Sequence, residues 1–270
     1  MRSAARSGVI VWLVATLCVA WLYGWSMREL DALGNPARGT GYVLLGLTIG
    51  LGLYNGRKKL AMMPLGRISS WLTVHVVGGI AAVLVYAFHA RTLWPLGTYE
   101  RVLAALFYAV TVSGLAGYSM QLIVPRRLTQ AGREWIYERI PGEIARIRDE
   151  VEGAVLAAAA ESGNDTLSRH YFETLAWYFA RPRFLLRHVL GERRAEQWWR
   201  RQIDIIGRYL TDAEKRHLKR ILDLGTLKAV LDHQYALQSM LKRWTLVHVP
   251  LAAALVALAV WHFFVVSVFA

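Results

Sequence analysis

The chain has 270 residues, of which 55% are hydrophobic, and a formal net charge of +13. Apolar segments separated by basic loops give this combination in integral membrane proteins, so the anionic membrane surface explains the charge more simply than nucleic acid does. The single cysteine, Cys18, excludes an intramolecular disulfide and a cysteine-based metal cluster, so a redox centre here would need other ligands.

Five stretches are long and apolar enough to cross a bilayer as helices. In chain order they cover residues 9–27, 40–56, 69–90, 102–124 and 244–270. The second is short and rich in glycine, and Pro125 is expected to end the fourth. We therefore predict an all-α fold, an integral membrane bundle of five spanning helices with a helical cytoplasmic insertion. Its domains are spanning helices 1–4 (1–124), the cytoplasmic helical domain (125–243) and spanning helix 5 (244–270).

The first apolar run has two interpretations. Arg2 and Arg6 precede it, as in a signal peptide. Apolar residues continue to Met27, however, without a good Ala-x-Ala cleavage site after the core. We expect a retained helix, and cleavage would not change the argument about the third and fifth helices.

Basic residues predict the orientation of the bundle. They crowd the loop after helix 2, the segment after helix 4 and the segment before helix 5, at Arg57, Lys58, Lys59, Arg67, Arg126, Arg127, Arg133, Lys242 and Arg243. Because basic residues favour the cytoplasmic side, the N-terminus and residues 125–243 are expected in the cytoplasm and the C-terminus outside. We expect a multi-pass protein of a bacterial inner (cytoplasmic) membrane.

Residues 125–243 are predicted to be helical. Arg133 to Ala160 is expected as one long stretch broken at Pro141 and Gly142, and Pro182 and Gly191 are expected to interrupt the segment that follows. The sequence "TDAEKRHLKRIL" begins with Thr211 and Glu214 at the spacing of a capping box, which predicts the start of a helix.

The third and fifth apolar stretches share one pattern. Residues 71–89 read "WLTVHVVGGIAAVLVYAFH" and residues 244–262 read "WTLVHVPLAAALVALAVWH", so that both are Trp-x3-His-x13-His. Fourteen residues lie within roughly 40° of whole helical turns and rise about 21 Å, so both histidines of each helix lie on one side of it. A hydrocarbon core is about 30 Å thick, which places one imidazole toward each face.

The order of the helices predicts how these histidines pair. Helix 4 crosses the membrane in the direction opposite to helices 3 and 5, so helices 3 and 5 are parallel. Packing these two helices side by side sets His75 level with His248 and His89 level with His262. Two facing imidazoles can clamp a flat metal macrocycle, and two levels make two haem sites. Small residues that could leave room for porphyrin are Gly46, Gly50, Gly78, Gly79, Ala81, Ala82, Gly114, Gly117 and Ala252 to Ala254.

Two helices that each carry His-x13-His resemble the haem-ligand pattern of the transmembrane di-haem cytochromes b. This superfamily includes cytochrome b of the quinol–cytochrome c oxidoreductases and the membrane domains of ferric reductases and NADPH oxidases. The resemblance covers helices 3 and 5 and, loosely, a four-helix core. It implies two b-type haems whose axial iron ligands are His75, His89, His248 and His262. The chain carries no flavin and nicotinamide domain and no "PEW"-type quinol motif, so the pattern favours the cofactor more than any one reaction.

Bis-histidine ligation leaves no open iron position, so the expected task is one-electron transfer rather than catalysis by a self-contained enzyme. We expect an electron-transfer subunit in membrane lipid, with redox protein partners on the cytoplasmic and outer faces and no nucleic acid. One alternative is a ferric or quinol-linked oxidoreductase subunit, which would add quinol as a partner. The other is a haem-free transporter or scaffold whose histidines handle protons or divalent metals.

Several other residues receive weaker expectations. Arg67, Arg91, Lys242 and Arg243 could pair with haem propionates or serve only as topology signals. Trp71 and Trp244 are expected in the interfacial aromatic belt. Packing or surface roles, rather than ligand roles, are expected for His170, His188, His217, His233, Trp198 and Trp199.

Overall fold

The computed structural model describes residues 2–56, 68–130, 134–191 and 194–269. Within these ranges all regular structure is helical and no strand occurs, so the all-α prediction is confirmed. The chain forms two compact units, one made of Met1–Tyr118 with Trp244–Ala270 and the other of Ser119–Arg243. The basic loop 57–67 and Arg133, which the orientation argument uses, lie outside the described residues.

The first unit contains three helices and parts of two more. They are α1 (Arg2–Asp31), α2 (Ala37–Gly56), α3 (Ile68–Ala90), the first part of α4 (Thr98–Gln130) and the last part of α10 (Asp212–Phe269). Asn35 precedes α2, and its side-chain oxygen accepts the Ala37 N–H at 3.0 Å, which satisfies one of the free donors at the helix start. α3 packs along both α2 and α1.

Among the described residues, four helices are long and apolar enough to cross a membrane, in α1, α3, α4 and α10. They suggest a multi-pass membrane protein. α2 is helical where the second span is predicted, but its glycine-rich sequence is not among these four. Its crossing of the bilayer stays a prediction.

The expectation that α4 ends at Pro125 is wrong, because the helix continues to Gln130. A proline removes one backbone hydrogen bond from a helix and costs roughly 3 kcal/mol in its interior. Burial of apolar side chains on both sides of Pro125 offsets this cost, since Val124 and Leu128 form a small core with Leu237 of α10. The Thr129 hydroxyl also donates to the Pro125 carbonyl at 2.9 Å.

In the second unit, the predicted break at Pro141 is a helix start. A 3₁₀ turn (Tyr137–Arg139) leads into α5 (Ile140–Ser162), and Pro141 lies in the first turn, where a missing N–H costs little. Gly163, with φ of +68°, ends α5 in the left-handed conformation. After it come α6 (Thr166–His170), a π-helical turn (Tyr171–Leu175), α7 (Ala176–Phe179), α8 (Leu185–Val189) and α9 (Arg194–Ile206).

The core of the second unit is built on one stripe of α5. Its buried residues recur at the three- and four-residue spacing of a helix face: Ile140, Ile144, Ile147, Val151, Val155 and Ala158. They cluster with aromatic side chains of the following segments, among them Trp199, which is fully buried. The expected core packing of Trp199 is confirmed.

α10 begins at the predicted capping box. The Thr211 N–H donates to the Glu214 carboxylate at 2.9 Å, and the Glu214 N–H faces the Thr211 hydroxyl oxygen at 3.3 Å. The helix then runs for 58 residues, so the predicted span 244–270 is the continuation of a helix that starts in the second unit.

Candidate functional site

The four predicted ligand histidines lie on α3 and α10, all in the first unit and all partly buried. The structure brings His89 and His262 together, with ring centroids 6.5 Å apart and ring planes at 86°. The structure therefore brings together one of the two histidine pairs that the sequence predicts, and the other two histidines, His75 and His248, lie on the same two helices.

His89 is oriented by the first turn of α2. Its Nδ1 lies 3.0 Å from the Ala37 carbonyl oxygen and 3.4 Å from the Thr40 hydroxyl. Because a carbonyl can only accept, Nδ1 must carry the hydrogen, which leaves Nε2 as the ring atom with a lone pair. Gly41 permits this approach, since a Cβ there would lie 3.0 Å from His89 Cε1.

His248 is oriented by α4 and by Trp244. Its Nδ1 lies 3.2 Å from the Ser113 hydroxyl oxygen, and its ring stacks on the Trp244 indole with centroids 5.1 Å apart. The Trp244 N–H in turn donates to the Ser113 carbonyl at 2.8 Å. Gly117 accommodates that indole, because a Cβ there would collide with it. The role of Gly117 is therefore contact with Trp244, whereas the sequence argument has it leave room for porphyrin.

His75 and His262 have aromatic neighbours. The His75 ring lies 4.7 Å from that of Tyr54, and its Nδ1 is buried without a hydrogen-bond partner. The His262 ring stacks on Tyr99 at 5.9 Å, and the Tyr99 hydroxyl is fixed by donating to the Leu258 carbonyl at 2.7 Å. His75 also borders a groove between α2 and α3 of about 360 Å³, whose other walls include Gly46, Gly50, Tyr54 and Trp71.

The donor set at the His89 and His262 level fits a haem iron held from both sides. Two metal–nitrogen bonds of about 2 Å each, with the radius of each ring, separate the centroids by about 6 Å. The observed 6.5 Å is close to that value. A hydrogen bond from the other ring nitrogen to a carbonyl, as at His89, is the usual support of a metal-bound imidazole.

The residues predicted as possible partners of haem propionates have different exposures and contacts. Arg67 lies outside the described residues, and Arg91 is exposed at the end of α3 with φ of +53°. Lys242 forms an ion pair with Glu138, and its ammonium lies 4.1 Å from the centre of the Tyr137 ring. Lys242 therefore already has an anionic partner within the second unit.

The histidines of the second unit have packing or surface contacts. His188 is buried, with its ring 5.8 Å from that of His233, and burial together with the charges of His233 and Lys228 lowers the pKa of His188 to about 4. His217 pairs with Glu161 at 3.0 Å on the surface. Among the described residues, no group of three His, Cys, Asp or Glu side chains is arranged to hold a metal ion.

Sequence reasoning missed the residues that orient the four imidazoles, namely Ala37, Thr40, Tyr54, Tyr99 and Ser113. Trp244 is assigned only to the interfacial belt, although it stacks on His248. One signal was available: Trp244 lies four residues before His248, as Trp71 does before His75, so each pair falls on one helix face. The other contacts join helices far apart in the chain, which residue spacing does not reveal.

We compared the chain with protein-family models, with curated proteins and with solved structures, and none of these matches it.

Proposed function

We propose that this chain is a di-haem b-type cytochrome that carries electrons across the membrane as a subunit of a larger redox complex. The observation that carries the proposal is the close approach of His89 on α3 to His262 on α10, one of the two pairs that the repeated His-x13-His pattern requires. Burying an imidazole in a membrane costs free energy, so a histidine within a spanning helix indicates a functional role. Four of them in two matched pairs favour a cofactor over isolated interhelical contacts.

In this proposal, α2 is the fifth spanning helix, the second unit lies in the cytoplasm and the C-terminus lies outside. His75 and His248 would hold the haem nearer the cytoplasm, and His89 and His262 would hold the haem nearer the outer face. Each haem, when bound, supplies one-electron chemistry at its iron. The partners are redox proteins on the two faces of the membrane, and the surrounding medium is lipid.

The chain's own residues hold the imidazoles in place and exclude other ligands. The two histidines at each level would hold a haem iron from both sides, and such an iron would supply electron transfer rather than binding of oxygen or substrate. The Ala37 carbonyl fixes the tautomer of His89, and Tyr99 supports the ring of His262. The apolar helices around the site keep water away, which strengthens these hydrogen bonds.

Electron transfer across vesicles tests this function. Proteoliposomes that enclose ascorbate, with ferricyanide outside, should reduce the external ferricyanide at a rate well above that of protein-free vesicles. A His89→Ala variant should lose most of this rate, roughly tenfold or more, because one of the two haem sites loses a ligand. His217→Ala, which removes a surface histidine paired with Glu161, is the matched control and should retain the rate. A wild-type rate equal to that of empty vesicles would contradict the proposal.

A quinol-reactive membrane subunit is the second candidate, and the groove between α2 and α3 favours it. Its volume of about 360 Å³ falls in the range of small-molecule sites, about 300–1,000 Å³. Its lining is mostly apolar, and the Tyr54 and His75 rings supply polar atoms. Reduction of the protein by a short-chain quinol, lost in a Gly50→Leu variant that fills the groove, would favour this function. Equal reduction of both proteins would argue against it.

A further inference from the structure

The short helix α8 of the second unit has one buried face and one exposed apolar face. His188 lies on the buried face. Leu186 and Leu190, one helical turn apart, are 72% and 62% exposed. A single exposed leucine is ordinary, whereas two neighbouring leucines on one face form an apolar patch that favours contact with a partner.

Arginines and aromatic rings surround this face. The stretch 181–191, "RPRFLLRHVLG", contains three arginines and no acidic residue. The Arg183 guanidinium lies 4.8 Å from the centre of the Trp177 ring, and that of Arg187 lies 5.6 Å from the centre of the Phe184 ring. Leucines, aromatic rings and arginines on one surface are the composition of a segment that lies in a membrane interface.

The end of α4 places α8 beside the membrane. Arg127 Nη1 donates to the Val189 carbonyl at 2.6 Å, which ties the end of α8 to α4. Arg127 lies about one turn, or 6 Å, after Ile123 along the helix axis. Leu122 and Ile123 are 46% and 49% exposed and belong to the candidate span Thr98–Gln130. The end of α8 is therefore bonded about one turn beyond the lipid-facing side chains of a spanning helix.

We propose that the exposed face of α8, with Arg181 and Arg187, is a membrane-surface site for the anionic headgroups of the bilayer that α4 crosses. Leu186 and Leu190 enter the boundary between headgroups and acyl chains, and the two exposed guanidinium groups pair with lipid phosphates. Lipid is favoured over a protein partner because α8 is bonded to the end of a spanning helix, where headgroups are already present. The inference goes beyond the proposed function, since it depends on the crossing of α4 and not on haem.

Quenching of a fluorescent label by lipid tests the inference. The full-length chain with Cys18→Ser and Leu186→Cys, labelled with nitrobenzoxadiazole, is placed in vesicles of three parts phosphatidylcholine to one part phosphatidylglycerol. Lipids that carry a nitroxide near the top of the acyl chain should lower the emission of this label roughly threefold or more, because such faces lie about 5–10 Å into the boundary.

Tyr209→Cys in the same background is the matched control. Tyr209 is 71% exposed, close to the value for Leu186. It precedes α10, which runs about 48 Å from Asp212 before the apolar stretch begins at Trp244. A label at residue 209 should therefore keep its emission when the lipid nitroxide is present.

The charge of the headgroups and of Arg187 gives a second measurement. Vesicles of phosphatidylcholine alone should lower the quenching at residue 186, because fewer phosphates are left without a neighbouring cation. Arg187→Gln should lower it about twofold in the anionic vesicles. Arg216→Gln, which changes an exposed arginine about 42 Å before Trp244 along α10, should leave it unchanged.

Equal quenching at residues 186 and 209 would overturn the inference, and so would quenching at 186 that is the same in neutral and anionic vesicles. A blue-shifted label at 186 that the lipid nitroxide does not quench would also overturn it, since a protein partner or a second copy of the chain would then cover α8. If Leu186→Cys does not fold, Leu190→Cys on the same face takes its place. Haem does not enter the readout, so the proposed function is tested separately by haem content.

Discussion

At the scale of single residues, glycines decide which large side chains can approach a helix. Gly225 of α10 lies under the buried Trp199 indole, and a Cβ there would collide with it. Gly153 of α5 has nothing within 4 Å of the same position and an ordinary helical backbone. Both glycines therefore lie within helices, but a Cβ would meet the Trp199 indole at Gly225 and open space at Gly153.

We predict opposite effects of alanine at these two glycines. Gly225→Ala should lower the free energy of unfolding of the second unit by about 1–3 kcal/mol, because the buried indole must move. Gly153→Ala should raise it by up to about 1 kcal/mol, because alanine loses less backbone entropy in a helix. Denaturant titration in detergent, with hydrogen exchange of peptides from α5 and α10, measures both. Equal effects of the two substitutions would contradict the packing described for Trp199.

At the scale of elements, the charged half of α10 carries an ion pair inside the second unit. Lys228 donates to Asp232, one turn later, at 2.5 Å, and both side chains are fully buried. The Lys228 ammonium also donates to the Arg181 carbonyl at 3.2 Å and lies 3.8 Å from the centre of the Tyr178 ring. The pair thus joins α10 to the segment after α7.

Replacing one member of this ion pair should lower the free energy of unfolding more than replacing both members. Lys228→Met should destabilise the second unit by about 3–5 kcal/mol, because it leaves the Asp232 carboxylate buried without its partner. The double variant Lys228→Met with Asp232→Leu should recover most of that loss. Lys215→Met is the control, since Lys215 pairs with Asp212 on the same helix but both are exposed, and no measurable loss is expected. A double variant less stable than Lys228→Met would show that the pair is not coupled as described.

Local signals predicted some elements well and misplaced the ends of others. The capping box of Thr211 and Glu214 is confirmed because its hydrogen bonds join residues three positions apart. Pro125 misled the prediction of α4, since burial of Val124 and Leu128 depends on Leu237, more than a hundred residues later in the chain. Composition changes sharply at Trp244, although the helical backbone of α10 continues through it.

At the scale of the whole molecule, the repeated histidine pattern predicted that His89 meets His262, and the structure shows which groups orient the histidine rings. The 6.5 Å approach of His89 and His262 agrees with the pairing expected for parallel helices. A backbone carbonyl supports His89, a serine hydroxyl supports His248 and a tyrosine ring supports His262, at Ala37, Ser113 and Tyr99. A carbonyl has no sequence signature, and Ser113 is 135 residues from His248, so neither contact can be inferred from spacing.

The most direct test of the account is the haem content of the purified chain, measured with its reduced-minus-oxidised spectrum. We predict two b-type haems per chain in the wild type and about one in His262→Ala, where only the pair with His89 is broken. His233→Ala, which alters a histidine of the second unit, should keep both haems. A colourless wild-type protein, or a His262→Ala variant with unchanged haem content, would contradict the claim that histidines of α3 and α10 hold iron between them.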